Sequence, residues 1–135
     1  VVAVAGDVAD RESLAAAVAE VERRLGRIDV LLHAAGLVDD APLLTKTERG
    51  VEDVLAAKLH GTRALMDVFA AKPLTLAVLF SSTSTAIAPA GQVDYVAANE
   101  YLNAVAAGQP PMRDSSAASP ASAAASAASM RRAPA

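Results

Sequence analysis

Cysteine and tryptophan are both missing from these 135 residues, and tyrosine and phenylalanine together supply only 3% of the side chains. Without thiols the chain can form neither disulfides nor thiolate metal sites, which fits a reducing compartment. Without bulky rings, the core promised by a 53% hydrophobic composition must be aliphatic. No apolar run approaches the roughly 20 residues of a membrane span, and Val1 opens straight into strand-like sequence with no basic leader. The expectation is a cytoplasmic protein that engages no membrane. Twelve basic and fifteen acidic side chains leave a formal net charge of -3, spread along the chain, so no basic face for nucleic acid is evident.

What is present divides by texture. Residues 1–107 alternate short β-branched runs with longer helical periods and are expected to form one ordered domain. Residues 108–135 do not: twenty of those 28 positions are Ala, Ser or Pro. That offers too little apolar bulk to offset the entropy of ordering a chain, and a disordered tail is expected there.

Within the ordered part, "VVAVAGD" reads as a buried strand ending at Gly6 and Asp7. Asp10 is placed to cap a helix carrying Leu14, Val18, Val21 and Leu25 on one face, with Gly26 where a left-handed C-cap belongs. "RIDVLLHAAG" predicts a second strand. A long helix follows from about Thr47 to Lys72, capped by Thr45 or Thr47 and stopped by Pro73. "LTLAVLFSS" is continuous in its hydrophobicity, as a strand covered on both faces should be. A last helix begins near Gln92 or Val93 and fades around Ala107. Strand alternating with helix implies right-handed crossovers, a parallel sheet and an α/β class.

In open parallel sheets, ligands sit beyond the carboxyl ends of the strands. Those ends read Gly6-Asp7-Val8, then His33-Ala34-Ala35-Gly36, then Ser81-Ser82, each small or polar. Lys58 interrupts the apolar stripe Val51, Val54, Leu55, Thr62, Leu65 and Phe69 of the long helix. A snorkelling stem at the rim of the core fits this spacing. So does a cation aimed at a phenol, where an ammonium favours the phenolate and lowers a value ordinarily about 10. Tyr95 and Asn99, four apart, share a helix face. Ser82 precedes Tyr95 by thirteen residues, about the distance needed to leave a strand, turn through "APAG" and enter a helix. Singly, each suits a structural role: a half-buried ring, a strand-end cap, a solvated helix position. Lys, Ser, Tyr and Asn together point to acid–base chemistry.

From about Ala5 to Ala106 the segments "GDVAD", "HAAGLVDD", "VLAAKLHGT", "VLFSSTS" and "GQVDYVAANEYLNA" resemble a ketoreductase domain of modular type I polyketide synthases, in the short-chain dehydrogenase/reductase superfamily. Most of that superfamily carries Lys four residues after the tyrosine and Asn on the preceding helix. These ketoreductases exchange the two, as Lys58 and Asn99 do here. The resemblance implies NADPH as cofactor and a β-ketoacyl thioester on an acyl carrier protein as substrate, with other synthase domains as partners. It makes Tyr95 the proton donor, Ser82 a hydrogen-bond donor to the same oxygen, Lys58 the residue that eases proton release from Tyr95, and Asn99 the holder of a relay water. By the same resemblance Asp7 and Val8 contact the adenine, and Ala34, Ala35 and Gly36 wall the nicotinamide ribose beside Lys58 and Tyr95. Val38-Asp39-Asp40 stands where the family's Leu-Asp-Asp signature does, implying a D-configured product. Ile87, eight residues before Tyr95, replaces the tryptophan of the opposite stereochemical class.

The resemblance also implies a partial Rossmann-like fold: three strands with flanking helices, without the first two strands or the Gly-rich turn that holds a pyrophosphate. The Val1 strand would then have an orphaned or wrongly paired edge. The family's next strand, with its tryptophan, has no counterpart after "EYLNAVA". A truncated or misread gene product, shifted in frame near Gly108, is expected. Three functions fit: a ketoreductase region completed by the rest of a synthase, an inert remnant, or a non-enzymatic interaction module. NADPH and NADH are not distinguished, since the second strand would carry the discriminating residues.

Overall fold

The computed structural model describes residues 1–108. The predicted tail therefore lies, from residue 109 onward, outside the described residues. Helix α1 (Arg11–Leu25) follows a turn at Asp7–Asp10, then come strand β1 (Val30–His33), a 3-10 turn (Leu43–Thr45), helix α2 (Glu48–Phe69), strand β2 (Leu76–Leu79), a one-turn helix α3 (Ser84–Ile87) and helix α4 (Val93–Ala106). The α/β class and the parallel pairing stand: β1 and β2 run side by side with Val30 opposite Leu76 and His33 opposite Leu79. The sheet has two strands among the described residues, where three were expected.

The missing one is "VVAVAGD", which forms no strand. A strand is defined by its ladder, and no neighbour is there to supply one. Val8, the next residue, is held by packing. A Cβ on Gly61 of α2 would lie 3.1 Å from one Val8 methyl and 3.2 Å from the other, so the absence of a side chain at 61 lets Val8 settle onto the helix.

Local signals decided the helix starts. The Asp10 carboxylate accepts from the N–H groups of Glu12 and Ser13 at 2.8 and 3.1 Å, the geometry of an N-cap. Gly26 closes α1 with φ 83° but an extended ψ of -164°, so its freedom at positive φ is used without the αL cap that was anticipated. Thr47, not Thr45, caps α2, accepting from the Gly50 N–H at 3.1 Å. That helix ends at Phe69 rather than Lys72 because its last turn tightens, with the Lys72 N–H bonding the Phe69 carbonyl at 2.9 Å. Helix α3 lies just before the "APAG" turn, where no element was expected, and Ala88 in the left-handed region ends it.

Val18, Leu65 and Phe69 form the core where α1 crosses α2, with Leu14, Ile28 and Leu31 packed against them. Leu31, Ala77 and Leu79 turn toward the helices around an apolar hollow of about 300 Å³. The opposite sheet face carries Val30, Leu32, Leu76 and Phe80, all exposed, with Leu32 at 61%. β2 was expected to be covered on both faces; among the described residues only one face has helices against it. None of the described helices is long and apolar enough to cross a membrane.

Candidate active site

The carboxyl ends of β1 and β2 lie side by side, and the Phe80 N–H continues the ladder by donating to the His33 carbonyl at 2.9 Å. Lys58 enters this edge from α2. It is only 4% exposed, and its ammonium donates to the Phe80 carbonyl at 2.9 Å. The cation therefore points at a strand end instead of snorkelling outward. Burial pushes its pKa below the ordinary value, since removal from water disfavours the charged form.

Asn99 enters from α4 and is fully buried. Its amide donates to the Tyr95 carbonyl at 2.7 Å, and its own backbone carbonyl accepts from the Ser81 hydroxyl at 3.3 Å. Its side-chain oxygen has no hydrogen-bond partner. A buried acceptor without a protein partner is the kind of atom an internal water satisfies. Lys58, Phe80, Ser81, Asn99 and Tyr95 thus form one connected series across α2, β2 and α4. Tyr95 is half-buried, and its N–H donates to the Asp94 carboxylate at 2.9 Å. The Ser82 hydroxyl, also half-buried, accepts from the Ser84 N–H at 3.1 Å, so it sits at the start of α3 with its own proton uncommitted.

Gly36 lies over Lys58: a Cβ there would be 3.1 Å from Cε and 3.5 Å from Nζ. The backbone at Gly36 thereby forms a thin wall against the lysine. Asp7 and Val8, where an adenine contact was expected, lie just before α1. The Asp7 carboxylate accepts from the Ala9 N–H at 2.9 Å and its own N–H donates to the Ser13 hydroxyl, while Val8 faces Gly61. Their contacts are with the start of α1 and with α2.

Val38, Asp39 and Asp40 are exposed but anchored. Asp40 accepts from the Gln92 amide at 2.9 Å, and Gln92 in turn accepts from the Ser84 hydroxyl at 2.9 Å. The Ala41 N–H donates to the Gly91 carbonyl at 3.2 Å. The loop is thus tied to the start of the helix that bears Tyr95. Sequence reasoning missed Lys46, Ser84, Asp94 and, as a contact, Gln92; an acid beside the tyrosine in a first helical turn was the one available signal.

His33 is buried beside Lys58. Its pKa is lowered first by burial and then by the lysine's charge, with a backbone hydrogen bond at Ala57 opposing both. Burial and that charge both favour the neutral imidazole, and its Nε2 has no partner among the described residues.

Two parallel strands with helices packed against one face resemble part of a Rossmann-like reductase fold, and comparison with known proteins gives the family. The profile of the KR domain family matches residues 1–125, and the chain belongs to that family, the ketoreductase domains of polyketide synthases. Polyketide synthase GfsA of Streptomyces halstedii is 41% identical over 104 residues, 77% of this chain and 1% of that protein. Polyketide synthase PksL of Bacillus subtilis is 37% identical over 98 residues, 73% of this chain and 2% of that protein. Among solved structures, an N-terminal ketoreductase from the macrolactin assembly line aligns with a TM-score of 0.69 at 33% identity, covering 79% of this chain and 23% of that one. A-type ketoreductases from a modular polyketide synthase align at 0.68 and 39% identity, covering 76% and 22%. The chain therefore spans under a quarter of these solved ketoreductases and a small fraction of the synthases.

Proposed function

We propose that residues 1–107 are the catalytic part of a ketoreductase that reduces a carrier-bound β-ketoacyl thioester to a β-hydroxyacyl thioester, D-configured, in polyketide biosynthesis. The observation that carries this is the series of contacts joining buried Lys58, the Phe80–Ser81 strand end, Asn99 and the Tyr95 backbone. It brings a cation, a hydroxyl-rich strand end and the tyrosine helix to one sheet edge. NADPH, when bound, supplies the hydride. The thin wall at Gly36 fits its ribose end, whereas the described residues contain no glycine-rich turn for its pyrophosphate.

On this reading the Ser82 hydroxyl donates a hydrogen bond to the carbonyl oxygen and keeps its proton, and Tyr95 gives that oxygen the one proton it needs as negative charge develops. Lys58 supplies positive charge beside the phenol, and Asn99 holds through its unpartnered oxygen the water that returns a proton. Neighbouring synthase domains complete the fold, a part of the reading supported by the uncovered sheet face at Val30, Leu32, Leu76 and Phe80. That face also favours the second reading, an interaction module without catalysis.

Turnover of a β-ketoacyl thioester with NADPH, with and without neighbouring synthase domains, tests the proposal. The native chain should convert substrate and Tyr95→Phe should lose about 10²–10⁴-fold. No turnover and no NADPH binding at millimolar concentration in either setting, together with a changed oligomeric state on adding the domains, would establish the interaction module instead.

A further inference from the structure

The loop after β1 is poorly provided with apolar anchors. Leu43 and Leu44, its two bulky residues after the Val38–Asp40 stretch, both point to solvent, so hydrophobic burial does not hold it down. What is buried instead is charge. Lys46 Nζ meets Asp94 Oδ2 at 2.8 Å, with the two side chains only 3% and 1% exposed. Its alignment is that of an ion contact, not a directed hydrogen bond. The same ammonium donates to the Asp39 carbonyl at 2.6 Å, and the other oxygen of Asp94 accepts from the Tyr95 N–H at 2.9 Å. One cation thus grips the loop at Asp39 and the tyrosine helix at Asp94, 48 residues away in sequence.

We propose that the Lys46–Asp94 pair is a pin that fixes the 38–46 loop to the start of α4 and so sets where Val38, Asp39 and Asp40 stand relative to Tyr95. A buried pair suits that task. Opposite charges withdrawn from water attract strongly, and neither can exchange its partner for solvent without a large penalty, so the contact has one arrangement. Surface contacts such as Gln92 to Asp40 can exchange for water and cannot impose the register alone. The consequence for product configuration rests on the ketoreductase reading; the pin itself does not.

Lys46 and Asp94 are positioning residues, and the test separates local from global effects. Amide hydrogen exchange read by NMR on the full chain follows the Ala41 N–H, which bonds Gly91 across the pinned junction. In the native chain it should be protected despite lying in a loop; exchange as fast as a free loop amide overturns the pin without any variant. Removing both charges together, Lys46→Met with Asp94→Asn, avoids leaving an unpaired buried ion. Protection at Ala41 should then fall about tenfold or more while Val18 and Leu65 hold theirs, and Lys46→Arg should retain it. An equal fall at all three sites, or none at Ala41, overturns the proposal. In thioester reduction, the double variant should bring the ratio of β-hydroxy epimers at least about tenfold closer to even, with Lys46→Arg holding the native ratio. A loosened Ala41 with an unchanged ratio overturns the positioning role. A native chain that reduces nothing sinks the ketoreductase reading, and the Ala41 result still decides the pin.

Discussion

The Lys58 ammonium and the Phe80 carbonyl meet at 2.9 Å across 22 residues of sequence, joining the middle of α2 to the end of β2. The bond explains how a cation is tolerated inside an aliphatic stripe. A backbone carbonyl beyond the last ladder pair accepts the hydrogen bond that a hydrophobic neighbour could not, and the charge is delivered to the residue that precedes Ser81 and Ser82.

That burial has a pH signature. The folded state holds the Lys58 proton less tightly than the unfolded chain, whose value is the ordinary 10.5. Between the depressed folded value and 10.5 the unfolded state binds more protons, so stability rises with pH in that window. Urea denaturation of the native chain at stepped alkaline pH should show the rise, and Lys58→Met should flatten it. In the thioester assay the same variant should lose about 10²-fold or more.

His33 gives the complementary acid-side effect. With its folded pKa below 6.5, the neutral imidazole contributes stability that is fully present above 6.5 and lost as pH falls toward the folded value. The slope is bounded at about 1.4 kcal/mol per pH unit for one proton. His33→Leu should remove this part of the acid limb; an unchanged profile would show that the ring is free to charge in the folded protein.

Gly61 tests the seat of Val8. Alanine there gains roughly 1 kcal/mol of helix propensity, and Val8, unconstrained by any sheet ladder, can yield a few tenths of an ångström. Gly61→Ala should therefore change stability by less than about 0.5 kcal/mol. Valine, with two more methyls against the same contact, should cost about 1–3 kcal/mol in denaturant midpoint.

The open sheet face makes a prediction about association. Leu32 is 61% exposed, so Leu32→Lys should shift stability by no more than about 0.5 kcal/mol. Light scattering should nonetheless show reduced self-association, because large exposed apolar patches drive contact between molecules. Unchanged scattering would mean that another segment covers the face.

Capping chemistry was the most legible part of the fold. Asp10 and Thr47 are read from short polar side chains before periodic apolar runs, and the oxygens of both accept from orphan N–H groups as local geometry requires. The tyrosine, asparagine and lysine could be singled out by helical spacing for the same reason. The Val1 strand could not be judged this way, because its hydrophobic pattern is equally consistent with a ladder that has no partner to form. Asp94 was marked only as an acid in a first helical turn and Lys46 not at all; nothing in a local window announces a contact made 48 residues away.

Sequence alone settled the order of the two strands that form and of the three longer helices, the cap at Asp10 and the residues able to carry acid–base chemistry, since each depends on neighbours within a turn or two of chain. Tertiary structure alone decided that Lys58 turns inward to Phe80, that residues 1–7 stay out of the sheet, and that a buried ion pair fastens the Asp39 loop to the tyrosine helix. Those outcomes depend on desolvation and on which distant groups arrive to satisfy a charge or an amide, and only the folded chain brings such groups together.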